Sequence, residues 1–157
     1  MDLFLKTYLE RHNIKYKIYK HPAVFTVAES DKIKTLIPGV RSKNLFLRDE
    51  KNKFYLYCLP GEKRADLKAI KKNLGVKELH FASSEELKKE LNLTPGSVSL
   101  FGMIHAKNTR LLIDKEIWEA QEVGFHPNIN TATLVINHKD LEKFCNNLSS
   151  WEVLSLA

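Results

Sequence analysis

The sequence predicts an α/β protein with a mixed β-sheet and helices packed outside it. Three observations predict this. Strand-like and helix-like patterns are interspersed along the chain. Several links between strands are short enough for hairpins, so part of the sheet should be antiparallel. No repeat, linker or low-complexity stretch divides the 157 residues, so a single domain over 1–157 is expected.

Asp2 to His12 reads as a short amphipathic helix with Leu5, Tyr8 and Leu9 inward, stopped near Asn13. Lys15 to Lys20 alternates lysine with Tyr16, Ile18 and Tyr19 and reads as a basic-edged strand, broken by His21-Pro22. Thr26 and Glu29 have the spacing of a capping box, predicting a helix to about Leu36. Pro38-Gly39 then turns the chain into a strand over 40–49. In that strand Leu45 and Leu47 share one face, and Asn44, Phe46 and Arg48 the other. Lys43 belongs with Leu45 and Leu47, the face expected to be buried. Residues 49–52 form a polar loop and Lys53 to Leu59 the returning strand.

A helix starts at Asp66, with Leu67, Ile70 and Leu74 inward and Gly75 as its stop. A short strand covers 78–81. Ser83 and Glu86 form a second capping box for a helix to about Leu91. Residues 94–102 are irregular. Strands are expected over 110–113, 123–126, 130–136 and 151–156, with helices over 115–121 and 139–148.

Composition narrows the function. The net charge is +6 and the pI near 9.2, a lean toward a polyanionic partner met on a folded face. No apolar run reaches the length of a membrane span, and the N-terminus lacks the layout of a signal peptide. Cys58 and Cys145 stand among apolar neighbours, as buried thiols of a reducing, cytoplasmic compartment do. No CxxC, HxxxH or HExxH pattern suggests a metal. No P-loop, dinucleotide fingerprint or serine elbow occurs, and no carboxylate pair has a spacing that suggests glycosidase-type acid/base work.

Three segments offer chemistry. Lys43 sits at the mouth of a buried face; it either snorkels to water or meets an anion there. Gly96-Ser97-Val98 can be a plain turn or a loop whose backbone N–H groups approach a ligand. His126, held extended by Pro127, can be structural or part of a site. Lys68, Lys71 and Lys72 lie on one helix face, a solvated surface or, with Arg41 and Arg48, a set of phosphate contacts.

These segments, in order, resemble the YbaK/prolyl-tRNA editing-domain superfamily. The likeness rests on His21-Pro22 with Thr26-Val27-Ala28-Glu29, on residues 42–47, on Leu79-His80-Phe81-Ala82, on residues 93–98, and on residues 123–128 with Thr131-Ala132-Thr133. It is closest to the free-standing ProXp-ala (PrdX-like) proteins, which deacylate mischarged Ala-tRNA(Pro). The resemblance implies a partly barrel-like central sheet and ester hydrolysis at the 3′ end of tRNA, with no metal or cofactor. It implies that Lys43 holds the terminal phosphate, that Asn44 and Thr26 help bind substrate, and that the Gly96, Ser97 and Val98 backbone approaches the aminoacyl group. His126 would orient the substrate. The implied partner is the acceptor end of mischarged tRNA(Pro), with prolyl-tRNA synthetase or an elongation factor as a transient partner. The family's glycine loop often reads G-x-x-x-P, whereas Leu100 stands at the last position here. That departure bears on amino-acid preference, leaving hydrolysis of a cysteinyl or seryl ester, or a silent tRNA-binding module, as alternatives.

Overall fold

A computed structural model of the chain describes residues 1–23 and 36–156. The Thr26–Glu29 capping box, and Thr26 as a substrate contact, lie outside the described residues. Helix α1 spans Leu3–Arg11 and buries Leu5 and Leu9, while Tyr8 is only half-buried. Asp2 caps it by accepting from the Phe4 N–H. Strand β1 is Lys17–Lys20. It starts later than expected because the Lys15 N–H donates to Asp140 Oδ1 at 3.0 Å instead of to a neighbouring strand.

Strands β2 (Val40–Asp49) and β3 (Phe54–Pro60) form the predicted hairpin, paired from Ser42 opposite Pro60 to Arg48 opposite Phe54. Buried Asp49 holds its turn, accepting from the Lys51 and Lys53 N–H groups and the Tyr55 hydroxyl. Helix α2 (Leu67–Leu74) runs from its Asp66 cap to Gly75 as predicted, and β4 (Leu79–Phe81) pairs with the end of β2. Helix α3 (Ser84–Leu91) carries the predicted capping box, with Ser83 and Glu86 bonding reciprocally.

The segment read as irregular, 94–102, runs into a 3-10 helix, Leu100–His105. Ser99 starts it by accepting from the Phe101 N–H, and Leu100 and Phe101 are fully buried. Gly102 lets this turn pack against α3 and its exit, because a Cβ there would lie 2.6 Å from Leu93 Cδ1. Strand β5 (Thr109–Asp114), helix α4 (Lys115–Glu119), strands β6 (Glu122–Phe125) and β7 (Ala132–Asn137), helix α5 (His138–Asn146) and strand β8 (Trp151–Leu154) complete the chain.

The strand order is β1-β7-β6-β2-β3-β5-β8, with β4 on β2. The β2/β6, β3/β5 and β5/β8 pairs are parallel and the others antiparallel. The sheet is therefore mixed, as expected, but it does not close. Its end strands β1 and β8 are four residues long, and among the described residues each is bonded to a single neighbouring strand, so the barrel-like expectation is corrected to an open sheet.

Strand β2 is covered on both faces. Phe46 belongs to the larger core with Leu56, Cys58, Leu100, Phe101, Phe125 and Phe144. Leu47 and Leu45 belong to a smaller core with Tyr55, Tyr57, Leu59 and Ile70. The expectation of one buried face is thus half of what is found: Phe46 is 6% exposed and Leu47 0%. Each such side chain adds about 1.5–3 kcal/mol on burial, so β2 is gripped from both sides.

Candidate active site

The start of β2 lies beside β6, with Val40 opposite Val123 and Arg41 opposite Gly124. Gly39 permits this approach. It has φ +90°, and a Cβ there would lie 2.8 Å from the Glu122 carbonyl oxygen. Ser42 locks the junction by donating its hydroxyl to the Gly124 carbonyl at 2.6 Å.

A cavity of about 110 Å³ opens at this junction, with His21, Arg41, Ser42, Gly124, His126 and Thr133 in its wall. His126 follows β6 directly. Burial holds its imidazole below the ordinary histidine range, and the nearby His21 and Arg41 push the same way. A hydrogen bond to the Ala132 backbone opposes them. Its Nδ1 is buried with no hydrogen-bond partner among the described residues. Neutral His126 with its other nitrogen donating to Ala132 therefore offers a lone pair at Nδ1.

His21 enters from the end of β1, its N–H donating to the Thr131 carbonyl at 2.9 Å. Its Nδ1 lies 2.8 Å from the Pro22 carbonyl oxygen, which can only accept, so Nδ1 carries the hydrogen. Nε2, 2.9 Å from Thr133 Oγ1, then accepts from the threonine hydroxyl in the neutral ring.

Lys43 and Asn44 follow Ser42 but are not in the cavity wall. Lys43 is half-buried on the side of the smaller core, opposite Leu59 in β3, and no described residue pairs with its ammonium. Asn44 alternates to the larger core, where its Oδ1 is buried without a partner. The Gly96 loop is also outside the cavity wall. It is a Pro-Gly turn with Gly96 at φ +92° and nothing within 4 Å of where a Cβ would stand. The Ser97 N–H closes that turn on the Thr94 carbonyl at 3.1 Å and is not free to meet a substrate. Val98 packs against the larger core. Leu100, fully buried in that core, fills space inside the protein and is not in the cavity wall.

Among the residues expected to meet phosphate, Arg48 is engaged by Glu86 at 2.7 Å and by His80 at 3.1 Å. Arg41 stands at the cavity, while Lys68 and Lys72 are exposed and Lys71 half-exposed on α2, which packs over the smaller core. Among the described residues no group of three His, Cys, Asp or Glu could hold a metal ion, and no helix is long and apolar enough to cross a membrane. Cys58 and Cys145 are fully buried free thiols; burial pushes the Cys58 thiol up and that of Cys145 up to about 12. The sequence reading missed His21, Ser42 and Thr133 as site residues. His21-Pro22 and Thr133 stand in the motifs that carry the resemblance, which was the available signal.

The mixed open sheet carries a small cavity, part polar and part apolar, where β2 meets β6, and the sequence places the chain in a family. The model of the aminoacyl-tRNA editing domain family matches residues 21–144, and the chain belongs to that family. Among its relatives is the prolyl-tRNA editing protein ProX of Acetoanaerobium sticklandii, 37% identical over 138 residues, covering 86% of this chain and 84% of that one. Another is the prolyl-tRNA synthetase associated domain-containing protein 1 of Danio rerio, 30% identical over 144 residues, covering 89% of this chain and 78% of the relative. A solved structure of a candidate trans-editing enzyme for prolyl tRNA synthetase shares the fold, with a TM-score of 0.77 at 22% identity, over 99% of this chain and 98% of that one.

Proposed function

We propose that this protein is a trans-editing aminoacyl-tRNA deacylase that hydrolyses the ester of mischarged Ala-tRNA(Pro). Family membership and the likeness to ProX support the reaction class. The observation that carries the reading is the cavity of about 110 Å³ whose wall holds a neutral histidine with an unpartnered buried nitrogen. A site of that size suits a small aminoacyl group, and His126 Nδ1 can accept from its ammonium or from a ribose hydroxyl.

In this reading Lys43, which has no partner among the described residues and stands one residue from the cavity wall, holds the terminal phosphate as a point charge. Asn44 contributes its unpartnered oxygen to substrate binding. The exposed Gly96 turn closes on the aminoacyl end from outside the cavity, with Gly96 and Val98 rather than Ser97 as backbone donors. A water oxygen bonds to the carbonyl carbon, the bond to the ribose 3′ oxygen breaks, and that oxygen takes the proton. The ester is already activated, so positioning the water and stabilising the oxyanion suffice without a protein nucleophile. Lys68, Lys71, Lys72 and Arg41 are the proposed contacts to the tRNA backbone, and the synthetase or an elongation factor the transient partner.

Purified protein tested against tRNA(Pro) charged with alanine, proline, serine and cysteine, and against correctly charged tRNA(Ala), checks this. Alanine should be released from tRNA(Pro), and Lys43→Ala should abolish release while leaving the circular dichroism spectrum and melting temperature unchanged. Binding without turnover on every ester would refute the deacylase reading.

A further inference from the structure

We propose that Thr133, held in one orientation by His21, is the side chain that sets the size limit of the cavity. This rests on the deacylase reading above. Thr133 has two functional ends, and each has a fixed place. Its hydroxyl meets His21 Nε2 at 2.9 Å. Its methyl covers Gly124, because a Cβ built on that glycine would lie 3.0 Å from Thr133 Cγ2. Both residues are in the cavity wall.

A threonine in a strand has few χ1 states, and here the hydroxyl and the methyl select the same one. His21 is itself fixed at three points: its N–H on Thr131, its Nδ1 on Pro22 and its Nε2 on Thr133. The ring thus acts as a positioning residue. It keeps the hydroxyl turned toward β1 and the methyl turned toward Gly124. If the threonine rotated, the methyl would leave Gly124 and the wall would retreat there by about one carbon. One carbon is the difference between an alanyl group and the next larger homologue, and a pocket that discriminates by one methylene does so by roughly 10- to 200-fold. Gly124 has no left-handed φ, so its lack of a side chain answers to the space that Thr133 occupies and not to its backbone.

The test compares kcat/KM for alanyl and 2-aminobutyryl esters on one tRNA. Thr133→Ser keeps the hydroxyl for His21 and removes the methyl, so the alanyl preference should fall about tenfold. Adding Gly124→Ala to that variant puts a carbon back where the methyl was and should restore the preference. His21→Leu, which removes the bond to Thr133, should lower the preference as Thr133→Ser does. His21→Gln, whose amide reaches the place of Nε2, should recover it; a merely structural histidine would show no such recovery in the ratio. If Thr133→Ser melts early, Gly124→Ala alone carries the test, since crowding against Thr133 must cut the larger ester more than the alanyl one. A ratio unchanged within about twofold in Thr133→Ser or Gly124→Ala, with the wild type active, overturns this assignment alone. Wild-type protein that hydrolyses neither ester overturns the deacylase reading, and this assignment with it.

Discussion

Gly39→Ala should cost far more stability than Gly96→Ala, although the two glycines have nearly the same φ, +90° and +92°. An L side chain in the left-handed region costs about 1–2 kcal/mol, and at Gly96 that is the whole penalty, because nothing stands within 4 Å of the new carbon. At Gly39 the new carbon would lie 2.8 Å from the Glu122 carbonyl oxygen and 3.0 Å from its carbon. These are backbone atoms of β6, so relief requires β2 and β6 to part, and overpacking of that kind adds about 1–3 kcal/mol. The expected losses are therefore about 2–5 kcal/mol at Gly39 and about 1–2 kcal/mol at Gly96. The entropy that alanine removes from the unfolded chain is common to both and cancels in the comparison. Urea unfolding at unchanged m measures each loss from the midpoint. Losses equal within about 0.5 kcal/mol would refute the claim that the β2/β6 junction is sterically closed. Deacylation gives a second reading, since Gly39 borders the cavity and Gly96 does not.

His126 titrates below the ordinary histidine range, so as pH falls the unfolded chain takes up that proton before the folded one. Its contribution to stability is complete above about pH 6.5 and is lost as pH falls from there toward the folded value; His126→Asn should flatten that part of the stability curve, and an unaltered slope would count against its burial as a neutral ring. Glu90 is buried and accepts from the Lys107 and Asn108 N–H groups and from the Thr109 hydroxyl. Glu90→Ala should cost about 2–4 kcal/mol in urea unfolding and Glu90→Gln less, because the amide keeps an acceptor. Neither cysteine should react with an aromatic disulfide reagent in the native protein, since both are fully buried with thiols pushed up; prompt labelling of either would show that the larger core opens.

Local signals were legible in the sequence where a residue's neighbours along the chain determine its role. The Ser83–Glu86 box and the Asp66 and Gly75 ends of α2 stand where the pattern put them, and the hairpin turn lies one residue later than the expected 49–52. What the pattern could not show is what meets across long separations. Alternation marked Leu45 and Leu47 as buried but could not tell that a second core covers Phe46. The pairing of β2 with β6, which makes the cavity, joins residues with no local trace of each other. His21 reads as a strand breaker until β7 brings Thr133 beside it. Leu100 stood out as a departure from the loop pattern, yet it is buried in the larger core because its 3-10 helix packs against α3 and β5. Glu90, a charged residue near the end of α3, is buried because the chain leaving the 3-10 helix returns its N–H groups to it.

The Ser42–Gly124 bond spans 82 residues, and the rest of the cavity's far wall comes from β6, β7 and the turn between them. During synthesis, then, the hairpin with Lys43 and the Gly96 turn are made well before anything exists for them to work with. A nascent chain that has emerged only through β5 holds Lys43 and the Gly96 turn but not the cavity. The two sides of that cavity meet only once β6 has paired with β2 and β7 with β6, so the cavity is a product of long-range pairing and cannot form piecemeal as the hairpin does.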